Sequence, residues 1–182
     1  INAMAYLSDE QKAEAQKAID NATTVDEVQK ALADAVAKNL EEGKADANEA
    51  IDNMAYLSNE QKVDAHKAIN DATDIAEVEK TEADAAVTNL EAGKADATKA
   101  IDDMAYLSNE QKAEAQQAVN DATDIAGVAT ALADAAAKNL EEGKAAANQA
   151  IAAKAPRSEA KHEADLQAVQ DTQDRERVEQ AR

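Results

Sequence analysis

From Val25 onward, small and apolar residues recur at steps of three and four: Val25, Val28, Leu32, Ala35, Asn39, Gly43, Ala47, Ala50 and Met54. Such spacing puts one stripe along one face of a single helix. No stop signal interrupts it, so it predicts one uninterrupted helix over residues 24–57, and its recurrence predicts another over 74–107. A shorter stripe, Ala15, Ala18, Ile19 and Ala22, predicts a helix of roughly four turns. Two start signals bound these helices in each unit. Ser8-Asp9-Glu10-Gln11 has the Ser-x-x-Gln form of a capping box and recurs at Ser58 and Ser108. The hydroxyl satisfies a first-turn N–H while the Gln reaches back to the cap's own N–H. Thr24-Val25-Asp26-Glu27 is the second start, mirrored by Asp74-Ile75-Ala76-Glu77. At Asp124 the matching glutamate is Gly127, which leaves a cap without its box.

The pattern repeats in register. Met4-Ala5-Tyr6-Leu7-Ser8 returns at Met54 and Met104, and Asn39-Leu40-Glu41-Glu42-Gly43-Lys44-Ala45 returns at Asn89 and Asn139, always fifty residues on. Ile151, Ala155, Ser158, Val169, Asp171, Asp174 and Val178 continue the register, with Pro156 and Arg157 in place of Tyr106 and Leu107. The expected division is 1–43, a partial first unit; 44–93 and 94–143, two whole ones; and 144–182, a degenerate, incomplete fourth. Because the stripe runs through Gly43 and Gly93, the last helix of one unit runs on as the first helix of the next. At 1.5 Å per residue, a long helix advances about 50 Å and a short one returns about 20 Å. The expected fold is all-α: tandem three-helix bundles of 50-residue repeats sharing long continuous helices, in an elongated rod. Gly43, Gly93 and Gly143 have two readings, a tight packing point between units or a hinge.

Composition narrows the function. Aromatic residues are 2 % of the chain, with no Phe or Trp, and Ala dominates the 45 % that is hydrophobic. Ala buries little area, so any core is thin. The net charge of −19 argues against nucleic acid, whose phosphates need clustered Lys or Arg, and against anionic membrane surfaces. No run of 18 apolar residues suggests membrane insertion. Without Cys disulfides are excluded, and the redox compartment stays open. The chain opens in mid-pattern at Ile1, as an excised fragment would.

The run Leu7-Ser8-Asp9-Glu10-Gln11-Lys12 through Ile19-Asp20-Asn21-Ala22-Thr23-Thr24-Val25-Asp26-Glu27-Val28 resembles the GA/FIVAR-type three-helix modules of Gram-positive surface proteins, Ebh-like repeats among them. The resemblance implies three-helix bundles joined end to end in a secreted, wall-attached bacterial adhesin. Albumin-binding members of that family use an apolar and aromatic surface on the second and third helices. Here the short helix reads Asp9-Glu10-Gln11-Lys12-Ala13-Glu14-Ala15-Gln16-Lys17 with no aromatic residue, so albumin is not expected as a partner.

No chemistry-bearing constellation emerges, so no catalytic, cofactor-binding or metal residue is assigned and an enzyme is not expected. His66 and His162 stand alone, without a second ligand at zinc spacing. Asn70-Asp71-Ala72-Thr73-Asp74 offers oxygen ligands but lacks the glycine and distal glutamate of a calcium loop. Glu82 stands where the other units have Leu32 and Leu132, a costly change in a core unless it is partnered. His66, where the others have Gln16 and Gln116, is the expected partner; the alternative is a Glu82 that snorkels to solvent. Tyr6, Tyr56 and Tyr106, one per unit, either cover the end of each bundle or offer a repeated contact to a partner. The expected function is a structural spacer, a stalk that projects a distal adhesive region from the cell wall as a monomer. The alternative is a repeated weak binding module for a host extracellular-matrix or serum protein. Coiled-coil-like self-association is a third, lesser reading.

Overall fold

The computed structural model describes residues 1–180, with side chains described except at 154–160, 162, 165, 166, 169 and 172–180. His162 and the fourth-unit positions Ala155 to Ser158, Val169, Asp174 and Val178 therefore lie outside the described side chains. Every regular element among the described residues is helical: α1 (Asp9–Asp20), α2 (Val25–Asn53), α3 (Asn59–Asp71), α4 (Ile75–Asp102), α5 (Asn109–Asp121) and α6 (Ile125–Gln180).

The starts lie where the caps place them. Ser8, Ser58 and Ser108 cap α1, α3 and α5 with both halves of the capping box formed, and Thr24 does the same for α2 with Glu27. At α4 the Asp74 carboxylate accepts from the Glu77 N–H at 2.9 Å. Gly127 supplies only its own N–H to Asp124, at 2.7 Å.

Both long helices pass through their glycine without a break, but they stop short of the expected 57 and 107. α2 ends at Asn53 and α4 at Asp102. Met54 leaves the helix at φ −75°, ψ 103°, and its N–H still bonds the Ile51 carbonyl at 3.1 Å. The cap at the far side of the turn explains the early stop. Ser58 must be extended, at φ −67° and ψ 160°, to cap α3, and residues 54–57 are the length needed to reverse the chain. Leu57 uses that reversal to enter the core.

Residues Ile1–Asp96 with Thr123–Val128 form one compact unit, and Ala97–Ala122 with the chain from Ala129 form a second. In the first, the core gathers Ala47 and Ile51 from the second half of α2, Leu57 and Ile69 with Ala72 around α3, and Val78 and Ala85 from the first half of α4. One bundle thus takes half of each long helix and the whole short one between them. Burying each Ile or Val side chain is worth about 1.5–3 kcal/mol, and the alanines allow close approach more than they add area. Polar stitches reinforce the seam: Lys44 Nζ donates to the Asn70 carbonyl at 2.8 Å, and Lys62 Nζ to the Asp52 carbonyl at 2.8 Å.

The second unit repeats the scheme. Ile101, Leu107, Val119 and Ala135 are buried. Lys112 Nζ donates to the Asp102 carbonyl at 2.6 Å, and Gln111 Nε2 to Glu142 Oε1 at 2.8 Å. Beyond Gly143, α6 stays helical through 154–158, the positions that match the turn at 54–58.

Candidate functional site

The feature repeated most faithfully in space is a joint built from Tyr, Asn and Gly. At the close of α2 the turn Met54-Ala55-Tyr56-Leu57-Ser58 ends one helix and caps the next. The same five residues at 4–8 and 104–108 enter α1 and α5. In each turn Leu faces the core and Tyr faces a long helix.

The tyrosine N–H is held by an asparagine thirty-three residues on. Tyr6 N–H donates to Asn39 Oδ1 at 3.1 Å, Tyr56 to Asn89 at 2.9 Å and Tyr106 to Asn139 at 2.9 Å. Asn39 and Asn89 are buried. A buried amide without a partner is costly, and here its acceptor is used by backbone that has left the helix. These asparagines count only as steps of the stripe in the sequence. A polar residue recurring at a buried stripe position was the signal that some backbone group needed it.

One turn further along the long helix lies the glycine. A Cβ at Gly43 would stand 2.7 Å from Ile75 Cδ1 and 3.2 Å from the Tyr6 ring. At Gly93 the same distances are 2.8 Å to Ile125 Cδ1 and 3.1 Å to the Tyr56 ring. At Gly143 the nearest atoms are those of the Tyr106 ring, at 3.0 Å. The glycines are packing points, where an aromatic ring and an isoleucine press onto helix backbone. The helices run through Gly43 and Gly93 without a break, and no glycine has a positive φ.

Tyr6 also donates its hydroxyl to Glu79 Oε1 of α4 at 3.1 Å. Burial raises the Tyr6 phenol above its ordinary 10.0, and the hydrogen bond to Glu79 and the nearby charges of Glu79, Glu82 and Asp46 add to the rise. Each cause disfavours a phenolate beside carboxylates, so the joint keeps a neutral donor.

One expectation needs correction. His66 does not face Glu82: its Nδ1 lies 2.6 Å from Asn48 Oδ1 and its Nε2 3.0 Å from Asp52 Oδ1, both on α2. Gln116 reaches the matching Asp102 Oδ1 at 2.7 Å, so this position stitches the short helix to the preceding long one. Glu82 is half-buried and lies near Tyr6. The premise fails because position 82 flanks the stripe; its counterpart Leu32 is itself exposed. The Asn70–Asp74 turn is absorbed by structure: Asn70 accepts from Lys44 and Asn48, and Asp74 caps α4.

An open furrow between α3 and α4 is lined by Leu57, Gln61, Ala65, Thr81 and Ala85. Among the described residues no helix is long and apolar enough to cross a membrane. The family model of the GA module matches residues 1–39, 37–86 and 87–139. No curated protein and no solved structure matches the chain.

Proposed function

The chain belongs to the GA module family, helical modules of a binding or structural kind and not enzymes, and on that footing we propose that it is a spacer segment of a bacterial cell-surface adhesin. The observation that supports this is the joint. α2 and α4 run unbroken through Gly43 and Gly93 with Tyr and Ile packed on each glycine. A helix of 29 residues reaches about 43 Å and resists bending, because bending must deform its hydrogen bonds or displace the side chains pressed on it. Such an element holds two things apart. Attachment to the cell wall at one end and an adhesive region at the other complete the proposal.

A repeated binding module is the competing reading, and it needs an apolar patch present in every unit. The exposed Val63 and Val87 do not supply one, since the matching positions in the other units are Ala13 and Ala113, Ala37 and Ala137. Affinity normally rests on a few aromatic or Arg anchors; Tyr6 and Tyr56 are half-buried against the glycines, and Tyr106 alone is exposed. Serum albumin is therefore not a partner in this reading.

Small-angle scattering at low concentration tests it. A compact chain of 182 residues has a radius of gyration of about 16 Å; the spacer is expected well above that. A value near 16 Å, or micromolar albumin binding lost in Tyr56→Ala, would overturn the proposal.

A further inference from the structure

The chain has three methionines and no cysteine, so Met4, Met54 and Met104 hold all its sulfur, at one matching position in each turn Met-Ala-Tyr-Leu-Ser. Each is half-buried. Met54 shows what that position does. It packs against the core cluster that holds Ile51, Leu57 and Ile69. It also lines an open furrow of about 300 Å³ with Asn89, Leu90, Thr123, Asp124 and Ile125. Two of these residues belong to the joint at Gly93. Asn89 Oδ1 accepts the Tyr56 N–H at 2.9 Å, and Ile125 Cδ1 lies 2.8 Å from the place a Cβ on Gly93 would take. A thioether in the middle of a core is out of reach of solutes, and one on open surface changes little when it becomes polar. Met54 lies between these cases, open to the furrow and in contact with the core.

We propose that Met54 is a site of oxidation by peroxide to the sulfoxide, and that this modification loosens the joint at Gly93. One oxygen atom passes from hydrogen peroxide to the thioether sulfur. The O–O bond breaks as the S–O bond forms, the sulfur gives up two electrons, and the peroxide is reduced to water. The product sets a polar group with an acceptor oxygen where an apolar side chain stood. Of the side chains that line the furrow, only Thr123 and Asn89 can donate a hydrogen bond to it. The Asp124 carboxylate only accepts, and it already takes the Gly127 N–H at 2.7 Å. Asn89 is buried and tied to the Tyr56 backbone. A sulfoxide oxygen that stays among the hydrocarbon of Leu90 and Ile125 is a desolvated acceptor without a partner, which is costly. An oxygen that turns out to water takes the methionine side chain off the core. Both courses weaken the packing around Asn89 and Ile125, on which the joint rests. The modification goes beyond the spacer reading, since it concerns how tightly a joint is held whatever the chain carries at its ends.

Hydrogen peroxide applied to the folded full chain tests it. With Met4→Leu and Met104→Leu, Met54 is the only sulfur left, and leucine keeps close to the volume of methionine. Mass spectrometry of that chain is expected to show one added oxygen without any denaturant, and peptide mapping should place it at Met54. The Tm should then fall by about 3 °C or more. Hydrogen exchange should locate the lost protection near Gly93 and at the start of α6. A chain that also carries Met54→Leu should take up no oxygen and keep its Tm in peroxide. Circular dichroism establishes that both chains are folded before treatment, and mapping the unaltered chain reads the same site without any substitution. Oxidation of Met54 only after unfolding in urea overturns the proposal. So does a sulfoxide chain with an unchanged Tm, protection lost only away from Gly93, or an equal fall in the chain without sulfur.

Discussion

Gly43 and Gly143 sit in the same seven residues, Asn-Leu-Glu-Glu-Gly-Lys-Ala, yet their surroundings differ. A Cβ at Gly43 would meet Ile75 and Tyr6 first, from 2.7 Å, while at Gly143 the three nearest atoms all belong to the Tyr106 ring, from 3.0 Å, and Tyr106 is exposed. Replacing a helical glycine by alanine gains about 1 kcal/mol of helix propensity. Overpacking a tight contact costs about 1–3 kcal/mol. Gly143→Ala is therefore expected to stabilise the chain by up to about 1 kcal/mol, because an exposed ring swings aside. Gly43→Ala is expected to be neutral or destabilising by about 1–2 kcal/mol, since Ile75 and Tyr6 must both give. Urea denaturation of the two variants measures the difference, and equal effects would mean that the joint is not tight.

At the level of elements, each short helix depends on one side chain to begin. Ser58 accepts the Gln61 N–H at 3.2 Å while Gln61 Oε1 accepts the Ser58 N–H at 2.8 Å. The cap also sets where α2 stops, since the extended Ser58 and the buried Leu57 leave no room for a helix through residue 57. Exposed lysine–aspartate pairs such as Lys30–Asp34 at 2.7 Å lie along the helix surfaces and contribute only tenths of a kcal/mol each. Ser58→Ala is accordingly expected to cost about 1 kcal/mol, several times what removing Lys30 costs. Hydrogen exchange should locate the loss in α3 and at the turn before it, with α2 near Gly43 unchanged. Protection lost evenly along α2 would show that the cap governs more than its own helix.

At the scale of the whole molecule, the fifty-residue register means that one unit can be removed without a scar. Deleting residues 54–103 joins Asn53 to Met104, and the junction again reads into Met-Ala-Tyr-Leu-Ser. In a repeat protein, stability is close to a sum of units and their nearest-neighbour contacts. The shortened chain is expected to keep the same helical ellipticity per residue and a single folded state. A marked fall in ellipticity would mean that the units are not interchangeable. The net charge of −19 gives solubility and sets a repulsion that any contact between copies must overcome.

Local chemistry made much of this protein legible before any coordinates. The capping boxes at Ser8, Ser58 and Ser108, the step of three and four through Gly43, and the recurrence of fifty residues need only neighbours a few positions apart. They determined the helices, their starts, the absence of a break and the all-α class. Tertiary structure alone decided what each side chain meets across space. Glu82 reads as core because it lies on the stripe, but only packing tells the centre of a stripe from its flank. His66 sits on a helix with two long neighbours, and the rotation of that helix, set by Ile69 and Leu57 entering the core, turns it to Asn48 and Asp52. Asn39 reaches Tyr6 across thirty-three residues, a distance over which periodicity carries no information. Helix-forming signals act within a turn or two of the chain, whereas a joint is a contact between surfaces, and surfaces exist only once the helices have packed.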